Sequence, residues 1–364
     1  MTRNSIYHSL YRSTLLLVAL LFCCHLGYGK ELEAKETKEI NKTFRWSPAS
    51  EVEISNKYGE ITITHWAKSE VAMRIVIEAK ARNQKLAKET LDRISVDFSD
   101  AAGSISAQTQ IAPEKKGWGV NFGGDVQFNI RYYVSLPAEA ICDLEQKYGN
   151  ILMLERHTGN CTIEAKYGNI ELGDLGGLLS LTSKYGNVKM GNFTRAELDL
   201  GYSGNVRVGS GEALDIEAKY SNIWVKDVKW IDMDIKYGQL EAGNISHIEL
   251  DSKYSNITLE ELQESFVASE LDYGKLIIQQ VGKDFLDIDI EARYSTVELN
   301  IPASSSFSLD AEGFRYASCK IRGFNNMNNF EQDEDRTSCT VNGGKKGKIS
   351  FEGNGYSNLI IKGE

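Results

Sequence analysis

Acids, bases, tyrosines and asparagines recur in this chain at fixed offsets, so the first question is what chemistry such ladders could perform. Tyr148, Tyr167, Tyr185, Tyr202, Tyr220, Tyr237, Tyr254, Tyr273 and Tyr294 follow one another at intervals of 17 to 21 residues. Three residues before the tyrosines stand Glu145, Glu164, Asp199, Glu217, Asp234, Asp251, Glu270 and Glu291, and one residue before stand Lys147, Lys166, Lys184, Lys219, Lys236, Lys253 and Arg293. Such columns could bind Ca²⁺ or a charged glycan. Calcium, however, takes six to eight oxygens converging on one point, and a line of acids beside a line of bases supplies them poorly. A solvated face of compensating charges is the simpler expectation.

The tyrosines admit two readings. Continuing the alternation of the preceding residues turns each ring inward or onto a corner, where it seals the core with its hydroxyl at the edge. The other reading is an exposed row that stacks on sugar faces or peptide side chains. The asparagines after the bend, Asn150, Asn160, Asn169, Asn187, Asn205, Asn222 and Asn256, read as turn residues that tolerate the left-handed conformation and bond to backbone above and below.

Signals for catalysis or metal binding are sparse. Beyond the leader only His65, His157 and His247 remain, without metal-ligand spacing. No HExxH, P-loop, GxSxG or strand-to-helix GxGxxG motif is present. No catalytic, cofactor-binding or metal-ligating residue is therefore assigned, and no cofactor is expected. Asp227 and Arg207, near the bends, are the type of residue a β-helical carbohydrate-active enzyme would draw from separate rungs. The chain's coils are nearly minimal, without long loops over one face. Exposed Trp224, on an otherwise polar column, is the expected contact residue.

The elements that must carry these ladders follow from the periodicity. Four and two residues before each Tyr lie pairs such as Ile163 and Ala165, Ile216 and Ala218, or Met233 and Ile235, with polar residues between. A second alternation follows the bend, as in Ile170 and Leu172 or Ile223 and Val225. A period of two is a strand with one face inward, and so short a repeat signals a solenoid whose units bury their apolar faces by stacking. The expected fold is all-β: a single-stranded, right-handed parallel β-helix with about 17–21 residues per coil, rungs about 4.8 Å apart and a column roughly 40 Å long. A β-propeller is the alternative.

Cys142 and Cys161 each lie six residues before a Tyr and so occupy equivalent positions in consecutive rungs. A rung spacing of about 4.8 Å falls inside the Cα window for a disulfide, so a Cys142–Cys161 bond is expected. A Cys319–Cys339 bond is expected to close the acidic, Asn-rich insertion from Asn325 to Arg336.

The ends are different material. Lys57–Tyr58–Gly59 with Ile61 and Ile63 forms an early coil-like element; Val71–Ile77 and Ser95–Phe98 read as strands, Asn83–Ile94 as a helix, Gly117–Gly124 as a glycine-rich loop and Gln127–Leu136 as a strand. The boundaries are 1–29 signal peptide, 30–140 a small α+β N-terminal capping region that would cover an open sheet edge, 141–300 regular repeats, and 301–364 C-terminal coils with the insertion.

Arg3 and Arg12 precede the apolar run Leu15–Leu21, and Gly27–Tyr28–Gly29 suits a cut before Lys30, the pattern of a secretory signal peptide. Lipidation at Cys23 is a minor alternative, because Leu20–Leu21–Phe22 lacks the small residue expected before a lipidated cysteine. The 364 residues carry a net charge of −10 and are 41% hydrophobic, which excludes wholesale disorder and speaks against nucleic acid as a partner. No later run is long enough for a transmembrane span.

The leader, the element Val52–Glu53–Ile54–Ser55–Asn56–Lys57–Tyr58–Gly59, and the Tyr-Gly-Asn or Tyr-Ser-Asn coils resemble the bacterial exported candidate-adhesin families of unknown function, frequent in the Bacteroidetes. That resemblance implies a β-helical exported protein; with the sparse catalytic signals and minimal coils, the expected function is a non-enzymatic adhesin-like or envelope structural protein of the periplasm or outer cell surface, with a glycan or an envelope or surface protein as its partner. It brings no functional residues with it. The alternative is a carbohydrate-active β-helical enzyme, either a polysaccharide lyase or a glycoside hydrolase.

Overall fold

The computed structural model describes residues 34–101, 103–113 and 126–364. The leader with Cys23 and the loop Gly117–Gly124 lie outside the described residues. Among the described residues the chain is strand with one helix, and none of its helices is long and apolar enough to cross a membrane.

The chain divides into two compact units. The smaller comprises the described parts of residues 1–39, 76–95 and 110–129. Its helix, Gln84–Asp92, begins where the Asn83 side chain accepts a hydrogen bond from the Leu86 N–H and buries Ala87, Thr90 and Leu91. Such a cap meets one of the four donors a helix start leaves unsatisfied. The helix is shorter than the expected Asn83–Ile94, because Ile94 opens the next strand, Ile94–Ala101.

The larger unit comprises residues 40–75, 96–109 and 130–364 and carries every repeat tyrosine. Each coil contributes two short strands, and equivalent residues of successive coils pair in parallel register. On the first strand Leu181, Leu198, Ile216, Met233 and Leu250 are consecutive partners. On the second, Ile170, Val188, Val206, Ile223, Leu240, Ile257, Leu276, Val297 and Leu359 form one unbroken row. The architecture is an all-β, solenoid-like stack of parallel rungs, as the repeat predicts. The positions read as inward are buried, from Ile163 and Ile170 to Val297 and Leu299. A rung gains its stability there, since each fully buried Ile, Leu or Val contributes about 1.5–3 kcal/mol.

Two departures from chain order shape the stack. Glu51–His65 pairs directly with Ile141–Met153, Val52 opposite Cys142 and Ile61 opposite Ile151, while Ser104–Gln108 and Ile130–Leu136, from the intervening residues, pair in parallel with Glu51–His65 on its other side. At the other end Asp287–Arg293 pairs with Gly347–Asn354, not with the next strand in sequence. Phe307–Glu312 lies on the far side of Gly347–Asn354 and also pairs antiparallel with Arg336–Val341. The last strands of the chain are thus slotted between two earlier ones.

Among the described residues no disulfide forms, which corrects both cysteine expectations: Cys142, Cys161, Cys319 and Cys339 are free and buried. Cys142 and Cys161 do face each other in register. Side chains at paired positions of parallel strands run side by side, so their Cβ atoms sit near the rung spacing of about 4.8 Å, whereas a disulfide wants roughly 3.5–4.5 Å. Cys319 is in register with Leu359 and Cys339 with Leu309, so the second pair does not even share a row.

Candidate functional site

The bend of each rung is built on tyrosine in an uncommon conformation. Tyr58 and the nine later repeat tyrosines all have φ between 52° and 61°. This left-handed region costs a residue with a Cβ roughly 1–2 kcal/mol. The asparagines expected there do not adopt it, Asn329 and Asn342 outside the repeat excepted. The other half of the expectation holds, since their amides bond to backbone of the neighbouring rungs: Asn150 Oδ1 accepts from the Asn169 N–H, and Asn169 Oδ1 from the Asn187 N–H, both at 3.0 Å.

A left-handed residue breaks the in-out alternation, so the rings point outward rather than into the core, correcting the inward reading. From Tyr148 to Tyr294 they are 43–54% exposed. Successive rings from Tyr58 to Tyr294 stack with centroids 4.8–5.1 Å apart and planes within 3–13° of parallel. Each interior ring has both faces covered by its neighbours. Between its end rings the row offers edges to solvent but no open face on which a sugar could stack.

The residue after each Tyr decides how close the rungs approach. At Gly149 a Cβ would run into the carbonyl oxygen of Gly59. Where serine replaces glycine its hydroxyl is buried, without a hydrogen-bond partner at Ser203 but used at the later rungs: Ser221 Oγ donates to the Lys219 carbonyl and accepts from the Ser203 N–H. Ser255 and Ser295 do the same at their rungs.

The charged columns compensate as expected. Lys236 pairs with Asp234 at 2.7 Å, and Lys253 reaches Glu270 at 2.6 Å. Asp272, standing where other rungs have lysine, is held by Arg293 of the next rung. Compensation is incomplete, however. Burial and then the neighbouring Glu53, Glu164 and Glu145 hold the Asp143 carboxyl above its ordinary value, and burial with Glu270, Asp234 and Asp232 does so for Asp251.

An open aromatic face occurs elsewhere. Trp230 is 51% exposed and begins a strand face bearing the in-register acids Glu197, Asp215, Asp232 and Glu249. His247, its partner on one side, stacks on the indole with centroids 3.7 Å apart and planes 11° from parallel. The ring is held by Ser265 at 2.7 Å from Nδ1 and Glu264 at 3.4 Å from Nε2. On the other side the partner is Ala213, followed by Arg195. A methyl group cannot cover an indole, and the gap between Trp230 and Arg195 forms part of a groove of about 290 Å³ that runs across the rungs from Arg195 to Val267. Two rung spacings, about 9–10 Å, admit one flat ring.

Trp224, the contact residue expected from sequence, is instead half-buried, its indole N–H donated to Glu241 at 2.8 Å and its ring 5.2 Å from Arg207. Asp227 accepts from the backbone N–H and side chain of Asn244 and acts as a turn clamp. Asp227 and Arg207 thus have structural partners and do not line the Trp230 groove. Trp230 carried a signal in sequence: it lies one residue before inward Ile231, on the outward parity.

The comparisons with known proteins can be set beside this geometry. No family model and no curated protein matches the chain. Among solved structures it is similar to a candidate cell adhesion protein from Clostridium sporogenes, at 11% identity and a TM-score of 0.18, covering 90% of this chain and 100% of that one. A candidate adhesin from Bacteroides fragilis matches at 10% identity and a TM-score of 0.28, over 89% and 97% of the two chains. A candidate lipid binding protein from Parabacteroides distasonis matches at 11% identity and a TM-score of 0.32, over 90% and 97%. At these scores nothing about fold or activity passes from those proteins to this one.

A second cluster lies in the core near the first rungs. His157 is fully buried, and its Nδ1 lies 3.1 Å from His65 Nε2. His65 Nδ1 stands 3.5 Å from the exposed Glu155 carboxylate. The facing Cys161 thiol and, after it, His157 hold the Cys142 thiol below its ordinary value against the effect of burial, while Cys142 and burial push Cys161 well above it. Among the described residues no group of three or more His, Cys, Asp or Glu is arranged to hold a metal ion.

Proposed function

We propose that this chain is a non-enzymatic, exported surface or envelope protein that binds glycan through the Trp230 groove. The observation that carries the reading is the uncovered indole face of Trp230. An aromatic plane is the surface on which the apolar face of a sugar ring packs, and Arg195, Asp215 and Asp232 along the groove offer donors and acceptors to its hydroxyls. The tyrosine row, its faces already occupied, serves the scaffold.

The coils are taken to wind right-handed, the usual hand of parallel crossovers, and the protein to work in the periplasm or at the outer cell surface, in keeping with the leader. What supports the non-enzymatic reading is the shortness of the bends between rungs, which carry no long loop over one face among the described residues.

The test is a glycan and envelope-polysaccharide array on the purified protein, with mass spectrometry of every bound glycan. Binding without cleavage, lost in Trp230→Ala and kept in Trp224→Ala, is the expected result. Cleavage of any bound glycan would overturn the non-enzymatic reading, and binding indifferent to Trp230→Ala would overturn the site.

A further inference from the structure

We propose that the Trp230 groove selects a glycan residue carrying a free, protonated amine, an amino sugar of the glucosamine class rather than its N-acetylated form. This inference rests on the reading of the groove as a glycan site and adds the charge that its ligand must bring. On the outward face of successive strands Arg195, Ala213, Trp230 and His247 are register partners in one row, and Glu197, Asp215, Asp232 and Glu249 form the next row along the strands. Both rows line the groove. In the acid row Ser180 stands before Glu197 and Val267 after Glu249. The unbroken run of acids therefore begins on the rung of Arg195 and ends on that of His247, the same rungs that form the aromatic slot.

The charge of this row is uncompensated, whereas that of its neighbour is not. Asp199 and Asp234, in the adjoining acidic column, pair with Lys184 and Lys236. Glu197, Asp215, Asp232 and Glu249 are exposed, and among the described residues no lysine or arginine forms an ion pair with them. Like charges facing one another across a sheet are destabilising, and a bound cation relieves that repulsion where a neutral sugar leaves it in place. The geometry also places the amine. A ring seated over Ala213 has Trp230 on one side and Arg195 on the other, each one rung of about 4.8 Å away. Asp215 follows Ala213 on the same face, about 6.5 Å along the strand, with its register partners Glu197 and Asp232 on either side. An ammonium on that edge of the ring, at a charge-assisted hydrogen-bond length of about 2.7–2.9 Å, meets carboxylates from three rungs. An acetamide brings one N–H and no charge. Near the indole the ammonium gains a cation–π attraction as well, and the Arg195 guanidinium donates to hydroxyls on the opposite side of the ring.

The experiment is a calorimetric titration of the purified protein with two probes, chitotetraose and its fully de-acetylated counterpart, at low salt and about pH 6, below the range in which an α-amino group titrates. The de-acetylated tetramer is expected to bind about tenfold or more tightly than the acetylated one, the scale of a hydrogen bond to a charged group. The preference should fall toward unity in high salt and in Asp215→Asn with Asp232→Asn. It should survive Asp143→Asn with Asp289→Asn, acids at the same offset from their tyrosines that lie outside the groove. Trp230→Ala should abolish binding of both probes. Equal affinity for the two tetramers, each lost in Trp230→Ala, would overturn the selection of an amine and leave the groove a glycan site. Binding that persists in Trp230→Ala would overturn the groove as well. A preference that outlasts Asp215→Asn with Asp232→Asn, or a short oligolysine that binds as tightly as the de-acetylated tetramer, would also overturn the inference. No binding of either tetramer would overturn it too, and the glycan reading of the groove then stands or falls on the array.

Discussion

The rings of Tyr202 and Tyr220 lie 4.8 Å apart and within 13° of parallel, although both residues hold a left-handed backbone, with φ of 57° and 54°. Strain and stacking are thus coupled at every bend. A non-glycine residue pays roughly 1–2 kcal/mol for this conformation, and each aromatic contact returns about 0.5–1.5 kcal/mol beyond area burial. An interior tyrosine has two such contacts, enough to offset the strain, which explains how a β-repeat can place tyrosine where turns ordinarily call for glycine.

This coupling predicts an inverted order of substitutions. In Tyr220→Ala the strain remains and both stacking contacts are lost; in Tyr220→Gly the contacts are lost but the strain is relieved. Urea unfolding should find both variants destabilised, with the glycine variant more stable than the alanine variant by about 1 kcal/mol. Alanine equal to or better than glycine would mean that the backbone at the bend is not held left-handed in solution.

The residue after the tyrosine makes a second prediction. Gly149→Ala places a methyl against the Gly59 carbonyl, backbone against backbone with nothing flexible to give way, and should cost more than about 3 kcal/mol, in the tail that overpacking produces. Ser221→Gly removes only the hydroxyl's two backbone bonds and should cost about 1–2 kcal/mol. Similar losses in the two variants would show that the glycine and serine rungs share one geometry after all.

These bends mark where the sequence stopped being legible. The rungs themselves were readable, because a period of two around Ile163, Ile216 or Met233 has one physical meaning and a 17 to 21 residue repeat must stack. The direction of the tyrosines was not. Extending the alternation through Tyr148 assumes an unbroken strand, and a single left-handed residue reverses the parity. The slotting of Gly347–Asn354 beside Asp287–Arg293 was equally hidden, since adjacency in a stack is a long-range pairing that local pattern does not encode. Trp230 was in principle readable from its parity beside Ile231. What made it a groove, the small Ala213 opposite and His247 behind, depended on register.

The acidic ladders give a third prediction. The Asp251 carboxyl is held above its ordinary value by burial and by Glu270, Asp234 and Asp232, while its Oδ1 accepts from the Glu270 N–H at 3.1 Å. Asparagine keeps that acceptor and removes the repelled charge. Asp251→Asn should therefore stabilise the fold at pH 7 by a few tenths to about 1 kcal/mol, the range for facing like charges in a sheet. The gain should shrink in high salt and below the raised carboxyl value, where the aspartate is itself neutral. Destabilisation at low salt would mean the ladder is compensated more fully than its lysines indicate.

The paired histidines make stability depend on pH. Burial first, then the facing His157, lowers the His65 value, with Glu155 and Glu139 acting in opposition. Between its lowered folded value and its unfolded value near 6.5, the unfolded chain binds more protons at His65 than the folded chain, so stability falls as pH drops. His65's contribution is fully present above about pH 6.5 and is lost as pH falls toward the folded value. Denaturant unfolding from pH 7.5 to 5 should show this slope in the parent and a flatter one in His65→Gln, whose amide occupies the same place beside His157 without titrating. The comparison is a difference between two proteins with the same carboxylates, so the opposing titrations of Asp143 and Asp251 cancel from it. Parallel pH profiles would mean that His65 titrates as it does in the unfolded chain and that the pair is open to water.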